Sequence, residues 1–545
     1  MPGGDDAGRS GTSTTLTELD TETLPPFGAA ARGADPLVPA LTVLCHPDPR
    51  RIGEQARLTA LLDGREVVIS RAEPGFSSRG GSRHGGRPLG DPHISRTPIR
   101  LRPAGEGVEV VGNLAQQGVR IDGEPADQTA VIGVEALDRG VVIEIGGRVT
   151  LLIHRLGMPR QPGPTLGLVG ESEAIEAVRA EVLRIARSDG PVLLRGESGT
   201  GKELVARAIH EQSSRSSRVF LSVNMAAVPS TTAVSELFGH IRGAFTGATH
   251  DAEGYFGRAN GGTLFLDEIG DTPFEVQAML LRALESGEIQ PVGAHQIKCV
   301  DVRLIAATET DLENAVETGR FRTALYHRLA GFEVTMPPLR ERRDDIARLL
   351  IHFLHEELDR LGRAHRLEPP LDRSSQPWLP AAVVAHLVRH SWPGNVRQLR
   401  NAARRLAVAS AELPSLELDP TIEKLLGDET ATAADHTGSD ADTATADRGT
   451  ARVPVEAITD ELLAATLREC GFQPGAAAAR LGIGRTTLYK LIDRSPTIRK
   501  AADLTDDELR DAWRECDGDI AAMTRRLAVS ERALKLRLRK LDLER

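Results

Sequence analysis

The sequence predicts a multidomain protein with an all-β sandwich, an α/β P-loop domain with a helical lid, and an all-α C-terminal region. Short alternating segments separated by Gly, Pro and Asp turns, such as "REVVIS" and "RVTLLIHR", predict the sandwich over residues 40–156. Helical patterns alternate with apolar strands such as "PVLLRG" and "GTLFLDE" over residues 166–340, as in a parallel sheet. Residues 341–426 read as helical, and residues 455–545 contain an internal helical repeat.

Composition favours a soluble cytoplasmic protein. Residues 1–39 are rich in Gly, Thr, Asp and Pro and predict a disordered leader without the apolar segment of a signal peptide. Residues 157–165 and 427–454 have the composition of linkers, the second one flexible. The four cysteines are scattered without CxxC spacing, which argues against a disulfide framework or a zinc site. A net charge of −10 means that any nucleic-acid binding must be local.

A glycine-rich stretch follows the apolar strand "PVLL" directly. Such a loop turns backbone N–H groups toward phosphate oxygens, and the next helix adds its positive N-terminal end. A lysine in the stretch supplies a charge for the β- and γ-phosphates, while Glu203 stands where a generic phosphate loop has the Mg²⁺-binding Ser or Thr. The predicted nucleotide-binding residues are Gly196, Glu197, Ser198, Gly199, Thr200, Gly201, Lys202 and Glu203.

A second strand, "GGTLFLDEIG", ends in Asp267 and Glu268. This is the position for a carboxylate that organises a metal ion and a base that polarises water. The alternative, an acidic cap after a strand, is weakened by the phosphate loop upstream. The two motifs together predict binding and hydrolysis of ATP with Mg²⁺, with Asp267 as the metal-organising residue.

Between these motifs lies a loop in which no side chain ionises. It consists of Gly243, Ala244, Phe245, Thr246, Gly247 and Ala248. Glycines permit a sharp backbone course, and Phe245 offers a flat apolar surface. Phe245 could instead be a core residue, although its small neighbours leave it little to pack against.

The motifs "GESGTGKE", "ELFGHIRGAFTGA", "GGTLFLDEIG", "GRFRTALYHRL" and "SWPGNVRQLRN" together resemble the AAA+ domain of sigma-54-dependent transcriptional activators, the bacterial enhancer-binding proteins. The resemblance covers residues 166–426. It implies that the loop 243–248 contacts sigma-54 and moves as nucleotide turns over.

The same resemblance implies roles for five further residues. Asn224 matches the residue that couples Glu268 to the nucleotide state, and Thr308 matches the γ-phosphate sensor, although Glu309 follows it where the family has Asn. Arg322 and Arg328 match arginine fingers that reach a neighbouring subunit's ATP, whereas Arg320 is expected on the surface. Arg397 matches the arginine of the lid that senses nucleotide. Fingers acting in trans imply a homo-oligomeric ring, with six subunits expected.

The C-terminal repeat aligns Cys470 with Cys516, a period of about 46 residues. Each copy resembles the Fis-type helix-turn-helix of these activators. In the first copy, Arg485, Thr487 and Lys490 are expected to face enhancer DNA. The second copy has different residues there and a basic end, so it could contact the DNA backbone, serve dimerisation, or be a solvated charged helix.

The N-terminal sandwich contains "VVISRAEP", "DPHISRTPIRL" and "QQGVRIDGEP". On these segments it resembles a forkhead-associated (FHA) domain, the phosphothreonine-binding module. Arg71, Ser95 and Arg96 are the candidate phosphate ligands, a suitable charge-assisted set. Gln117 replaces the Asn that usually holds peptide backbone. Two interpretations therefore stay open: a phosphothreonine protein or Ser/Thr kinase as the input partner, or a degenerate interaction module.

The predicted function is sigma-54-dependent activation of transcription, in which an ATPase ring converts the closed complex of sigma-54 RNA polymerase to the open one. Two rivals are a non-catalytic DNA-binding repressor and an AAA+ remodeller of another substrate. The first predicts loss of the nucleotide or loop motifs, which are intact here. Binding of the protein to DNA would distinguish the predicted activator from the second rival, the remodeller of another substrate.

Overall fold

The computed structural model describes residues 37–78, 86–95, 99–158, 163–372, 374–418, 460–470, 504–516 and 519–527, with single positions elsewhere. The chain divides into two units, residues 1–436 and 437–545. Within these described ranges, no helix has both the length and the apolar character needed to cross a membrane.

The first part of unit 1, which we call the β-domain, is built from two antiparallel sheets with the orders β2-β1-β10-β9-β6-β7 and β3-β4-β5-β8. Its elements are β1 (Val38–Cys45), β2 (Gln55–Arg57), α1 (Thr59–Leu62), β3 (Val67–Ile69), β4 (Ile99–Ala104), β5 (Gly107–Val111), β6 (Arg120–Ile121), β7 (Glu124–Pro125), β8 (Thr129–Ile132), α2 (Val134–Arg139), β9 (Val141–Ile145) and β10 (Val149–Leu156).

The apolar core of the β-domain lies between the two sheets. Leu41 and Leu151 from the six-stranded sheet meet Leu101 and Val110 from the four-stranded sheet, and all four are fully buried. Successive side chains of a strand point to opposite faces of its sheet. Yet β10 is buried at every position except Arg155, so its sheet is covered on both faces.

The α/β core carries a five-stranded parallel sheet with the order β12-β13-β16-β11-β17, and β14 and β15 form a small antiparallel pair. Its elements are α3 (Glu173–Ile185), β11 (Val192–Arg195), α4 (Lys202–Glu211), β12 (Phe220–Asn224), α5 (Ala233–Phe238), α6 (Gly254–Arg258), β13 (Thr263–Asp267), α7 (Phe274–Ser286), β14 (Glu288–Ile289), β15 (Lys298–Cys299), β16 (Arg303–Thr308), α8 (Leu312–Glu317), α9 (Thr323–Leu329) and β17 (Phe332–Thr335).

The topology of the parallel sheet brings several predicted site residues to one edge. Asn224, Asp267 and Thr308 are the last residues of β12, β13 and β16, and the phosphate loop follows β11. Since parallel strands end at one edge of their sheet, these residues meet where ligands bind in open α/β sheets.

The lid consists of α10 (Arg343–Arg360), α11 (Ala381–Arg389) and α12 (Asn395–Ser410), which share one apolar core. The start of α10 is fixed to the start of the α/β core. The buried Asp345 carboxylate accepts hydrogen bonds from the Glu171 and Ser172 backbone N–H groups at 2.6 and 2.9 Å and from the Ser172 hydroxyl at 2.6 Å.

Unit 2 contains α13 (Asp460–Glu469), α14 (Asp506–Glu515) and α15 (Ile520–Leu527). Thr505 and Glu508 form a capping box that fixes the start of α14. Two small apolar clusters occupy matching places in the repeat, the first around Leu463, Ala477 and Leu488 and the second around Leu509, Met523 and Leu534. The predicted DNA-facing residues Arg485, Thr487 and Lys490 lie outside the described residues.

Candidate functional site

The phosphate loop joins β11 to α4 and leaves little room for side chains. Gly199 has a φ of 78°, and a Cβ placed on it would lie 2.4 Å from the Gly394 carbonyl oxygen of the lid. Lys202 opens α4, is 6% exposed, and donates from Nζ to the Gly196 carbonyl at 2.7 Å. Its Nζ lies 3.8 Å from Oε1 of Glu268. The strand, loop and helix thus place one cation beside one carboxylate.

The acidic pair lies at the end of β13. Burial raises the pKa of the Glu268 carboxyl above its ordinary value, and the nearby Lys202 opposes that shift. The resemblance assigns Asn224 the role of coupling Glu268 to the nucleotide state. In the structure, the Asn224 Nδ2 donates to Oδ2 of Asp267 at 3.4 Å, and its Oδ1 accepts from the Ala226 backbone N–H at 2.9 Å. The amide is therefore oriented toward the carboxylate proposed for the metal.

The last residue of β16, Thr308, and the residue that follows it, Glu309, complete this edge. Thr308 is 1% exposed, and its hydroxyl accepts a hydrogen bond from the Thr310 backbone N–H at 3.0 Å. Glu309 is exposed, and its backbone N–H donates to Oε2 of Glu268 at 3.4 Å. The backbone at Glu309 thus positions the candidate base, a contact that does not depend on the side chain found there.

Side chains of the lid and of the segment just before α10 contact the phosphate loop. Arg397 donates to the Ser198 hydroxyl at 3.0 Å. Arg340 pairs with Glu197 at 2.6 Å, and this guanidinium lowers the pKa of the Glu197 carboxyl. Sequence motifs did not indicate the pair, because its members are separated by more than 140 positions.

Asn395, the first residue of α12, was also missed. It is fully buried with a φ of 49°. Its Nδ2 donates to Glu197 Oε2 and to the Ser198 carbonyl at 3.0 Å each, and its Oδ1 accepts from the Leu339 backbone N–H at 2.8 Å. One amide therefore joins the phosphate loop, the end of the α/β core and the lid.

A cavity of about 160 Å³ opens beside the phosphate loop, between the segment that precedes α3 and the lid. Apolar walls with a few polar groups suit a flat aromatic base. Its lining includes Leu168, Val169, Leu204, His352, Phe353 and Arg400. No short motif marks these residues, which come from four separate segments of the chain.

The predicted arginine fingers contact α7 within their own chain. The Arg322 guanidinium lies 4.0 Å from the centre of the Phe274 ring, and Arg328 donates to the Leu284 carbonyl at 2.8 Å. Arg320, expected on the surface, is exposed and donates from Nε to the Thr318 hydroxyl at 3.1 Å.

The loop 243–248, which we call the output loop, is open around its glycines. Gly243 and Gly247 have φ values of 81° and 107°, and an added Cβ would meet nothing within 4 Å at either. Phe245 is 45% exposed and lies edge-on against His240, with 5.0 Å between ring centres. The Nδ1 of His240 is 2.7 Å from the Ser235 hydroxyl of α5. The aromatic side chain is thus presented to solvent from a fixed base.

The candidate phosphate ligands of the β-domain are only partly described, since Arg96 lies outside the described residues. Arg71 donates to the Pro92 carbonyl at 2.9 Å, and Ser95 lies half-buried three residues beyond Pro92. Within the described part of the chain, Arg71 Nε and Gln117 Nε2 are buried nitrogens without a hydrogen-bond acceptor.

Three family models match the chain. Residues 168–335 match the sigma-54 interaction domain, residues 340–436 the AAA+ ATPase lid domain, and residues 455–494 the bacterial regulatory protein Fis family.

Similar proteins include the transcriptional regulatory protein ZraR of Klebsiella oxytoca, 42% identical over 341 residues that make up 61% of this chain and 70% of ZraR. The DNA-binding transcriptional regulator NtrC of Escherichia coli K12 is 49% identical over 250 residues, 46% of this chain and 51% of NtrC. The chain thus spans about half the length of the NtrC relatives it matches. The crystal structure of NtrX from Brucella abortus in complex with ATP matches with 31% identity and a TM-score of 0.43, covering 60% of this chain and 69% of that one.

Proposed function

Because this chain belongs to the family of sigma-54-dependent transcriptional activators, we propose that it hydrolyses ATP to drive the output loop against sigma-54 and so activates transcription. One observation carries the proposal: a single α/β core holds Lys202 3.8 Å from Glu268 at its sheet edge and presents the exposed Phe245 on a glycine-hinged loop.

The phosphates of ATP bind to the backbone N–H groups of the loop 196–201 and to Lys202. Magnesium fits the donor chemistry of this edge, where Asp267 supplies a carboxylate. Because Glu203 stands in place of the usual hydroxyl, more of the coordination would come from water, the phosphates and the acidic strand end. Bound there, the ion would neutralise phosphate charge. Glu268 accepts a proton from the attacking water, and its half-buried position close to Lys202 keeps it oriented.

Assembly completes the site. Arg322 and Arg328 lie on a surface made with α7, so we propose that they reach the γ-phosphate held by the next subunit of a ring, with six subunits expected. Guanidinium groups there neutralise the charge that develops during phosphoryl transfer. Within one chain, Arg397 and Thr308 then report the nucleotide state to the lid and the sheet.

The direct test is open-complex formation in vitro by sigma-54 RNA polymerase on a promoter with an upstream binding site. We expect open complexes that require this protein and hydrolysable ATP. ATP hydrolysis without open complexes would favour a remodeller of another substrate. Binding to DNA without hydrolysis would favour the repressor.

We propose that the C-terminal region binds upstream DNA. This proposal is supported by the match of residues 455–494 to the Fis family. Arg485, Thr487 and Lys490 are the proposed contacts. Gel-shift affinity should fall steeply as salt rises, because phosphate contacts release counterions. A salt-independent affinity would contradict this role.

For the β-domain we propose binding of a phosphothreonine peptide, which would connect the activator to a Ser/Thr kinase. The supporting observation is that Arg71 donates to the Pro92 carbonyl at 2.9 Å, which brings this guanidinium to the segment that carries Ser95. Titration of phosphothreonine peptides against the full chain should show binding that Arg71→Ala weakens. Arg65→Ala, an exposed arginine paired with Asp63, is the control. Equal binding by all three proteins would leave the degenerate module as the better interpretation.

A further inference from the structure

A glutamine lies on the buried face of helix α7. That face consists of Val276, Gln277, Leu280 and Ala283, and the Gln277 side chain is fully buried. Burying an amide is unfavourable unless partners inside the protein replace its hydrogen bonds to water. The partners of Gln277 therefore show which parts of the chain it holds in place.

The Gln277 amide joins two segments of the α/β core with three hydrogen bonds. Its Nε2 donates to the Thr272 carbonyl and to the Arg320 carbonyl at 3.0 Å each. Its Oε1 accepts from the Arg322 backbone N–H at 2.9 Å. The reverse orientation of the amide would set its NH2 group against the Arg322 N–H, so these partners also fix how the amide is turned.

The segment that carries the first predicted arginine finger is positioned through its backbone. The backbone N–H groups of Arg320 and Phe321 both donate to the Ala315 carbonyl, at 2.8 and 3.0 Å. Gln277 holds the backbone on either side of the buried Phe321. Since Arg322 directly precedes α9, the same contact fixes the point at which that helix begins.

The start of α7 also holds the guanidinium of Arg322. This group lies 4.0 Å from the centre of the Phe274 ring, and its Nε donates to the Phe274 carbonyl at 3.4 Å. An aromatic face attracts a guanidinium and limits the directions in which it can point. Phe274 is 44% exposed, so the ring and the guanidinium lie at the surface of the α/β core. The start of α7 thus fixes both the backbone and the side chain of the finger.

The same amide is tied to the acidic strand end of its own chain. In the short turn after Glu268, the Asp271 backbone N–H donates to the Glu268 carbonyl at 3.0 Å, and Thr272 comes next. Gln277 therefore lies between the candidate base of its own site and the finger that is expected to reach another subunit. A change at Gln277 can act in cis or in trans, and the two routes are experimentally separable.

We propose that the start of α7 positions the arginine finger for hydrolysis in the neighbouring subunit's site, with Gln277 holding the backbone of Arg322 and the Phe274 ring holding its guanidinium. The inference rests on the proposed function, in which the fingers act in trans. Gln277 is buried within its own chain, so it acts through Arg322 and not by contact with phosphate. The finger neutralises developing charge only when it is placed accurately, and a misplacement of about 1 Å can cost about a hundredfold in rate.

The first experiment is Gln277→Met, which keeps the length of the side chain but removes all three hydrogen bonds. ATP turnover by the full chain should fall about a hundredfold. ATP binding, measured with a fluorescent nucleotide, should stay nearly unchanged. Gln212→Met, at the exposed position directly after α4, is the matched control and should keep the original turnover. Loss of ATP binding together with turnover would overturn the proposal, because it would place the effect in the subunit's own site.

Mixtures of variants separate the two routes. Gln277→Met keeps an intact Glu268, and Glu268→Gln keeps an intact finger, so an interface between the two variants can combine both working parts. We expect this mixture to hydrolyse ATP about tenfold faster than either variant alone. A mixture of Gln277→Met with Arg322→Ala lacks a well-placed finger at every interface and should gain nothing.

The reference mixture is Arg322→Ala with Glu268→Gln. If the reference recovers turnover and Gln277→Met with Glu268→Gln does not, Gln277 acts on its own subunit's site and the positioning role is wrong. If the reference itself stays inactive, the trans-acting finger of the proposed function is refuted instead. Should Gln277→Met not fold, Phe274→Ala changes an exposed side chain of the same mount. Loss of the cation–π contact should then lower turnover about fivefold, and the same mixtures decide the outcome.

Discussion

Two glycine-bearing loops of the α/β core use their glycines for different physical reasons. In the phosphate loop, the space that a side chain on Gly199 would need is filled by the Gly394 backbone, 2.4 Å away. In the output loop, the space around Gly243 is open, and only its φ of 81° disfavours other residues. The glycine of the first loop is required by packing, whereas the glycines of the second loop face open space and are required only for their backbone conformation.

This difference matches the proposed division of labour. A loop that cradles phosphates gains from fixed N–H groups, because preorganised donors lose nothing when charge develops. A loop that pushes on a partner must change its backbone conformation, and open surroundings permit such a change. The predictions below test whether the two loops can be damaged independently.

The largest effect is expected at the nucleotide end. Glu268→Gln should lower the ATP turnover number by about a hundredfold or more, because a general base contributes that much, while ATP binding persists. Phosphate release and fluorescent-nucleotide binding measure the two quantities. Glu275→Gln, an exposed carboxylate on α7, is the control and should match the original protein. Loss of binding together with turnover would show that Glu268 supports the loop instead of the chemistry.

In the output loop, Thr246→Ala should leave ATP turnover nearly unchanged, because Thr246 lies outside the phosphate loop, and should strongly lower open-complex formation. The expected loss is of the order of tenfold or more, as for removal of a central contact. Both activities are measured on the same preparation. Retained activation would contradict the assignment of the loop.

Gly199→Ala tests the packing of the phosphate loop. The new methyl group would displace the Gly394 backbone and strain a positive φ, so we expect nucleotide affinity to fall about tenfold, equivalent to roughly 1.4 kcal/mol. Binding titration measures the change. An unchanged affinity would mean that the lid segment around Gly394 yields freely.

The smallest effect on nucleotide binding is expected for Gly243→Ala, which should alter the free energy of unfolding instead. With open space around it, the added methyl meets only the backbone penalty of about 1–2 kcal/mol for a left-handed residue. Thermal unfolding should show that loss, and Gly243→Asn should show less of it, because Asn tolerates this conformation better. Equal losses for the two would point to a hidden steric contact.

The sequence predicted the parts of the site that are written as contiguous motifs. The α/β core with its lid and the Fis-type region are confirmed by the family matches, and the strand ends at Asp267 and Thr308 lie at one sheet edge as expected. The roles of the individual site residues, and of the FHA-like ligands, stay predictions. Their motif spacing is local, so each could be recognised within about a dozen residues.

Contacts between distant segments could not be predicted in this way. The pairs Glu197 with Arg340 and Glu144 with Arg389 depend on how lid helices pack, and no local pattern encodes that. The segment "RVTLLIHR" predicts a strand of the sandwich, but it does not indicate that Leu152 and Thr150 of this strand contact the lid. Nothing in a single strand tells which polar positions will find buried partners.

Asn395 has a consequence for exchanging lids among relatives. Its buried amide makes three hydrogen bonds, donating to Glu197 and to the Ser198 carbonyl and accepting from the Leu339 backbone N–H. An aspartate there would set a carboxylate against Glu197. A glycine would tolerate the left-handed backbone but leave the Leu339 N–H and the Ser198 carbonyl without this partner, whereas Glu197 would keep Arg340. A chimera should therefore inherit residue 395 from the same parent as its phosphate loop, whichever parent donates the remaining helices.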